Sequence, residues 1–292
     1  MLEYFGLDYF FDNTKRIYFI YIFSALLLSL IFMSKYLRIQ FSKKVLFHPS
    51  ARLDYIYFLA ISLIKILIII PLLLNINDVV LWIVLALQEH FGYQERIRTS
   101  KFLIIFFYTL VVFIANDFSR YLLHRAMHSF ALLWRFHRIH HSAEVLNFLT
   151  FYRVHPIENI LFGLRYALVT GFVMGVFIYF FGAGIQAIEL LGVHVISFFF
   201  MLFGANLRHS HIPLRFGNTI EKWILSPFQH QLHHTPEHLD ANFGSSLAIW
   251  DRLFATLTIT DIHTLRFGLA NQSPRHSLWG ALLNPFYKGI KL

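Results

Sequence analysis

Apolar residues in this chain gather into runs too long for a soluble core, separated by short clusters of charged and turn residues. A bilayer-spanning helix needs about 20 predominantly apolar residues, and this predicts spans over residues 17–33, 53–74, 102–123, 159–181 and 185–207. The last two are joined only by Gly182-Ala183-Gly184, which predicts an antiparallel helical hairpin. Residues 79–91 are too short to cross, and Gln88, Glu89 and His90 close their apolar run, so a re-entrant or interfacial segment is expected there. Leu2 to Phe11 mixes aromatic and acidic residues, as a short interfacial helix would. Lys65 falls near the middle of the second span, where a charge must face other helices or snorkel, and Pro71 is placed to kink its exit.

Composition supports a bilayer as the solvent. Of 292 residues, 57% are hydrophobic and 14% charged, against about 25% charged in soluble domains. The formal charge of +9 has no soluble basic face to occupy, which argues against nucleic acid as a partner. Lys35, Arg38, Lys43, Lys44 and Arg52 instead share one stretch without an acid, which the positive-inside rule makes cytosolic, leaving the amino terminus on the far side. The first apolar run lacks a small-residue cleavage site and reads as a retained helix. Two crossings separate residues 124–158 from residues 208–292, so both polar segments fall on the cytosolic face. The expectation is a single all-α domain over 1–292: a multi-pass membrane helical bundle whose cytosolic helical cap holds a histidine-rich dimetal site.

The histidines carry the candidate chemistry. His124 and His128 are four residues apart; His137, His140 and His141 are three and four apart, and His230, His233 and His234 repeat that pattern. On helices each set presents its imidazoles on one face. With no cysteine, disulfides, Fe–S clusters and thiolate zinc sites are excluded. Eight imidazoles exceed what one zinc takes, and two adjacent metals account for the number. All-nitrogen donors favour a redox-active first-row metal over Mg or Ca. Asp117, two helical turns before His124, is a candidate to fix a ligand's tautomer or to pair with Arg120 or Arg125; Glu144, Glu158, Asp240 and Asp251 are further candidates for such support. His48, His90, His194, His263 and His276 are isolated and read as interface or hydrogen-bonded core residues, His194 needing a partner because it falls in an apolar span.

The combination H-x-x-x-H, H-x-x-H-H and a later H-x-x-H-H resembles the fatty acid hydroxylase/sterol desaturase superfamily of integral-membrane di-iron enzymes. The resemblance covers roughly Asn116 to Thr256 and includes Leu133-Trp134-Arg135-Phe136-His137, Arg153-Val154-His155-Pro156-Ile157-Glu158, Asn242-Phe243-Gly244 and Trp250-Asp251-Arg252-Leu253-Phe254. It departs at Ala255, where glycine commonly follows. The resemblance implies that His124, His128, His137, His140, His141, His230, His233 and His234 hold two iron ions, with His209 matching an intermediate histidine and His155 a His-Pro position shared by sterol-acting members. His211 and His238 match less and read as surface or supporting residues. No catalytic residue beyond the metal ligands is implied.

The activity implied is oxygen-dependent hydroxylation or desaturation of a lipid C–H bond. Nothing resembles a flavin or nicotinamide fingerprint, so electrons must come from a separate cytochrome or ferredoxin docking on the cytosolic cap. Two other classes stay open: a zinc-dependent membrane hydrolase, though no H-E-x-x-H is present, and a non-enzymatic metal-binding membrane protein. Zinc also replaces iron readily at nitrogen sites, so its presence in a purified sample would not decide between them.

Overall fold

The structure, a computed structural model, describes residues 6–261, 265–270 and 276–287. His263, and residues 2–5 of the expected interfacial helix, lie outside them; Leu7–Phe10 of that helix form a single 3₁₀ turn.

Helix α1 (Phe19–Phe32) falls in the first predicted span. Its 14 residues reach only about 21 Å at 1.5 Å per residue, short of a hydrocarbon core of about 30 Å. Short helices α2 (Ser34–Gln40) and α3 (Lys43–Leu46) carry the basic stretch to α4 (Pro49–Ile64). Pro71 has no N–H to offer the carbonyl four residues back, and just before it the chain widens into a π-helical segment, Lys65–Ile69. Helix α5 (Ile70–Leu72) ends where Leu73 becomes extended, and Asn75 caps α6 (Ile76–Phe91). The expected short re-entrant segment is therefore a full helix of 16 residues. With α4 and α5 it belongs to one apolar run, Pro49–Phe91.

Helices α7 (Lys101–Ser129) and α9 (Pro156–Phe181), separated by α8 (Ala131–His141), are the two other helices among the described residues long and apolar enough to cross a bilayer. Helix α9 packs along both α6 and α7. It carries Gly163, Ala167, Gly171 and Gly175 at four-residue spacing: a Cβ on Gly163 would meet Leu73, just before α6, one on Gly171 would lie 2.6 Å from that of Val79, and one on Gly175 would meet Ile83. The small residues let the backbones approach closely. Outward, Leu81, Trp82, Phe102, Phe106, Leu110 and Phe172 are exposed, so the bundle's apolar surface faces out, as a membrane protein's does.

The helix expected over 185–207 does not form. Leu191 and Gly192, both at positive φ, turn a small hairpin between β1 (Glu189–Leu190) and β2 (Val193–His194), and only Val195–Leu202 (α10) is helical before Gly204 breaks it. The hairpin is anchored on α7: Ile188 N donates to Thr109 Oγ1, and His194 Nε2 donates to the Thr109 carbonyl at 3.0 Å, the partner that histidine needed. Beyond it, α11 (Pro227–His233), α12 (Ile249–Leu253) and α13 (Leu278–Leu283) build the cap. A buried ion pair ties the cap to the bundle: Arg153 Nε reaches Asp54 at 2.6 Å, its Nη2 donates to the Ser50 carbonyl and hydroxyl, and its Nη1 to the Ser142 hydroxyl.

Candidate metal centre

His124 and His128 sit in the last turns of α7, where Phe130, in extended conformation, breaks the helix so that α8 turns back against it with His137, His140 and His141. From the other end of the chain, α11 is fixed by a capping box between Ser226 and Gln229 with Pro227 in the first turn. Its Gln231 amide donates to the carbonyls of Leu207 at 2.7 Å and Ile212 at 2.9 Å, which pins the turn bearing His209.

The result is two adjoining clusters: His124, His128, His137, His141 and His233 in one, His140, His209, His230 and His234 in the other, with the ligand nitrogens of each cluster within 4.8 Å of one another. In the first, Nδ1 of His124 donates to the Phe243 carbonyl (2.8 Å), that of His137 to Glu158 (2.9 Å) and that of His233 to the Ala241 carbonyl (2.7 Å). Their Nε2 atoms are then lone-pair acceptors, yet they converge: His124 to His137 at 3.1 Å and His124 to His233 at 3.2 Å. His209 Nε2 stands 3.2 Å from those of His140, His230 and His234, whose Nδ1 atoms are buried without a hydrogen-bond partner. In the first cluster, where Nδ1 carries the proton, lone pairs so close repel unless a cation lies between them. Imidazoles bound at about 2.0–2.1 Å to one ion stand about 3.0–3.4 Å apart, so the spacing fits a metal in each cluster. His128 Nε2, buried and without a hydrogen-bond partner, fits the same use.

Burial also sets the charge state. It pushes His137 and His140 down to about 3, and burial together with the neighbouring imidazoles lowers His141, His209, His230, His233 and His234. These imidazoles are therefore neutral at pH 7, the form that ligates.

Nine of the ten expected ligands thus meet, and the tenth does not. His155 caps α9: its Nδ1 accepts from Ile157 N and its Nε2 donates to the Leu282 carbonyl at 3.0 Å, so both ring nitrogens are used elsewhere. Asp117 touches no histidine; it accepts from the backbone N–H of Ser246 and Leu247 and from the Trp250 indole. Asp251 accepts from Phe243 N and Gly244 N, holding the loop whose carbonyl receives His124. Glu144 lies apart with His48 and His276. His211 accepts from Leu146 N, and His238 ends a turn away from both clusters. The carboxylate that reaches a clustered histidine is Glu158. Backbone carbonyls accept from two more, and sequence carries no sign of them beyond the Asn242-Phe243-Gly244 motif. At Ala255 φ is +56°, the left-handed region that favours the glycine the family resemblance leads one to expect there.

The fatty acid hydroxylase family profile matches residues 109–256, half of the chain and the stretch that contains all nine clustered histidines. The chain belongs to the fatty acid hydroxylase family. Among similar proteins, an alkylglycerol monooxygenase from Xenopus tropicalis is 27% identical over 55% of this chain and 32% of its own length. An ornithine lipid hydroxylase, OlsE, from Rhizobium tropici is 28% identical over 58% of this chain and 47% of its own. Fatty acid hydroxylase vlmA from Lecanicillium sp is 30% identical over 58% and 46%. The match thus spans from a third to just under half the length of these relatives. No solved structure matches this fatty acid hydroxylase family member at a comparable level.

A cavity of about 160 Å³ opens on the clusters, lined by His124, His137, His140, His209 and His230. Next to it, sharing Arg16, Arg120, Phe151 and Ser245, is a second cavity, which in turn shares Phe113, Phe200 and Ser246 with an apolar one of about 500 Å³.

Proposed function

We propose that this chain is a membrane-embedded lipid hydroxylase that uses dioxygen and two iron ions. The observation that carries the reading is the pair of all-imidazole clusters at one end of an apolar helical bundle, facing cavities that lead from histidine to hydrocarbon surfaces. His124, His128, His137, His141 and His233 would hold one ion, and His140, His209, His230 and His234 the other. Bound there, iron supplies the activation of dioxygen and the oxidation of a C–H bond. The balance is one R–H, one O2, two electrons and two protons giving R–OH and water. The electrons come from a separate cytochrome or ferredoxin. The basic stretch from Lys35 to Arg52 supports a cytosolic position for the histidine end, where such a donor would dock.

The protein's own part is to orient and to exclude water. Glu158 and the carbonyls of Ala241 and Phe243 fix three imidazoles with Nε2 forward. Phe113, Phe199 and Phe200 line an apolar route for a chain. The lipid-acting relatives support the same class of substrate. A hydrolase is less well served: neither cluster includes a carboxylate, and Glu158 is engaged by His137.

The test is anaerobic loading with ferrous iron, chemical reduction, and exposure to labelled dioxygen with a host lipid extract. One labelled oxygen atom per product and about two irons per chain are expected. Unlabelled product, or no oxygen uptake by the iron-loaded protein, would refute the reading.

A further inference from the structure

The cavity beside the histidines is lined by four cationic side chains, Arg16, Lys65, Arg120 and Arg208, and one acid, Glu158. None of the four makes an ion pair among the described residues. Each lies instead on an aromatic ring: Arg16 on Phe151 (4.2 Å), Lys65 on Tyr152 (5.5 Å), Arg120 on Phe162 (4.8 Å) and Arg208 on Phe200 (4.5 Å). Such stacking fixes a guanidinium while leaving its N–H edge free to donate. Arg208 is 2% exposed; its Nη2 donates to the Leu225 carbonyl at 3.2 Å, and its Nε has no partner. The same protein shows how a buried arginine with a structural role is treated. Arg153 has a carboxylate, a carbonyl and hydroxyls arranged around it.

Unpaired cations gathered at one cavity repel one another, and burial together with Arg120 pulls Arg16 down to about 9. Two divalent ions at the histidines would add to that field. The group that relieves it must be an anion, and a fork of guanidiniums matches the oxygens of a phosphate or carboxylate. Arg120 and Arg208 lie within the family-matched stretch, whereas Arg16 and Lys65 come from outside it.

We propose, resting on the hydroxylase reading above, that the substrate is an anionic amphiphile whose oxyanion headgroup is held by Arg16, Lys65, Arg120 and Arg208 beside the histidines. The oxidised carbon then lies within a few bonds of the headgroup and not at the methyl end of the chain. A cavity of about 160 Å³ takes a headgroup and its first carbons, and the apolar one of about 500 Å³ takes the remainder. The phosphate and carboxylate share this chemistry, and the probes below separate them.

The iron-loaded protein in neutral detergent is titrated with three amphiphiles of one acyl chain: a lysophosphatidic acid, the free fatty acid and the monoacylglycerol. Either anion should bind roughly tenfold or more tightly than the neutral lipid, and the one that does names the headgroup. Arg16→Gln and Arg120→Gln should each weaken anion binding about tenfold, leave the monoacylglycerol unchanged, and keep both irons; Arg120→Lys should recover part of the loss. Removing an unpaired cation should also leave the lipid-free melting temperature equal or higher. Equal affinity for all three lipids, wild-type anion binding in both variants, or a variant that loses its fold or irons would overturn the proposal. So would anion binding accompanied by labelled oxygen only in the monoacylglycerol, the mark of a fixed structural lipid. Selective anion binding without labelled oxygen in any probe would instead count against the hydroxylase reading and leave the anion site standing.

Discussion

Glu158 is the carboxylate that reaches a clustered histidine, accepting from His137 Nδ1 at 2.9 Å where both side chains are almost wholly buried. Glu158→Gln keeps an acceptor oxygen but removes the charge that raises imidazole basicity. Supporting partners of this kind are worth about 10–100-fold in metal affinity. A metal titration should therefore show one of two ions weakened by about that factor, with the other nearly unaffected; two unchanged affinities would remove Glu158 from this role. Ala255 makes a prediction of opposite sign. An L-residue with a Cβ held at φ +56° is strained by about 1–2 kcal/mol, so Ala255→Gly should raise the melting temperature by a few degrees without changing metal content. At this scale the histidines were legible because three- and four-residue spacings on a helix leave few directions to point. The role of Asp117 was not, since which backbone N–H groups come to a carboxylate depends on where residues 246–250 are folded.

Elements were legible where length and composition agreed and not where glycine intervened. Residues 102–123 and 159–181 lie within α7 and α9, but 185–207 has the hydropathy of a span and the backbone of a hairpin and a short helix. Averaged hydropathy is blind to Gly184, Gly192 and Gly204, all at positive φ, and to the turn Leu191-Gly192 makes. Two chain passages separated the histidine sets in either case, which is why they could meet although one passage is not a spanning helix. The glycine stripe on α9 is testable in its own right. At Gly171 a side chain would meet Val79 at 2.6–2.7 Å and the Ile76 carbonyl at 3.2 Å, backbone that cannot rotate away. Gly171→Leu should force α6 and α9 apart and destabilise the bundle by about 1–3 kcal/mol, read as a lower melting temperature in detergent. An unchanged value would mean that the two helices do not need this close approach.

At the scale of the whole molecule, the clusters couple metal, protons and stability. His137 and His140, at about 3 in the folded chain, bind protons near their ordinary value of about 6.5 once unfolded. Between those values the unfolded state holds more protons, so stability rises with pH across the window and is lost as pH falls from about 6.5 toward about 3. Metal acts in the same direction, because each imidazole must shed its proton to ligate, and release of an ion frees several imidazoles to be protonated together. Bound metal and melting temperature, followed from about pH 8 down to about pH 5, should therefore fall together below about pH 6.5, and more steeply than one titrating group allows. A chelator at about pH 7.5 should lower the melting temperature as well, by leaving converging lone pairs with nothing between them. A melting temperature that ignores both acid and chelator would mean that the imidazoles meet for packing alone, and the case for a metal centre would fall with it.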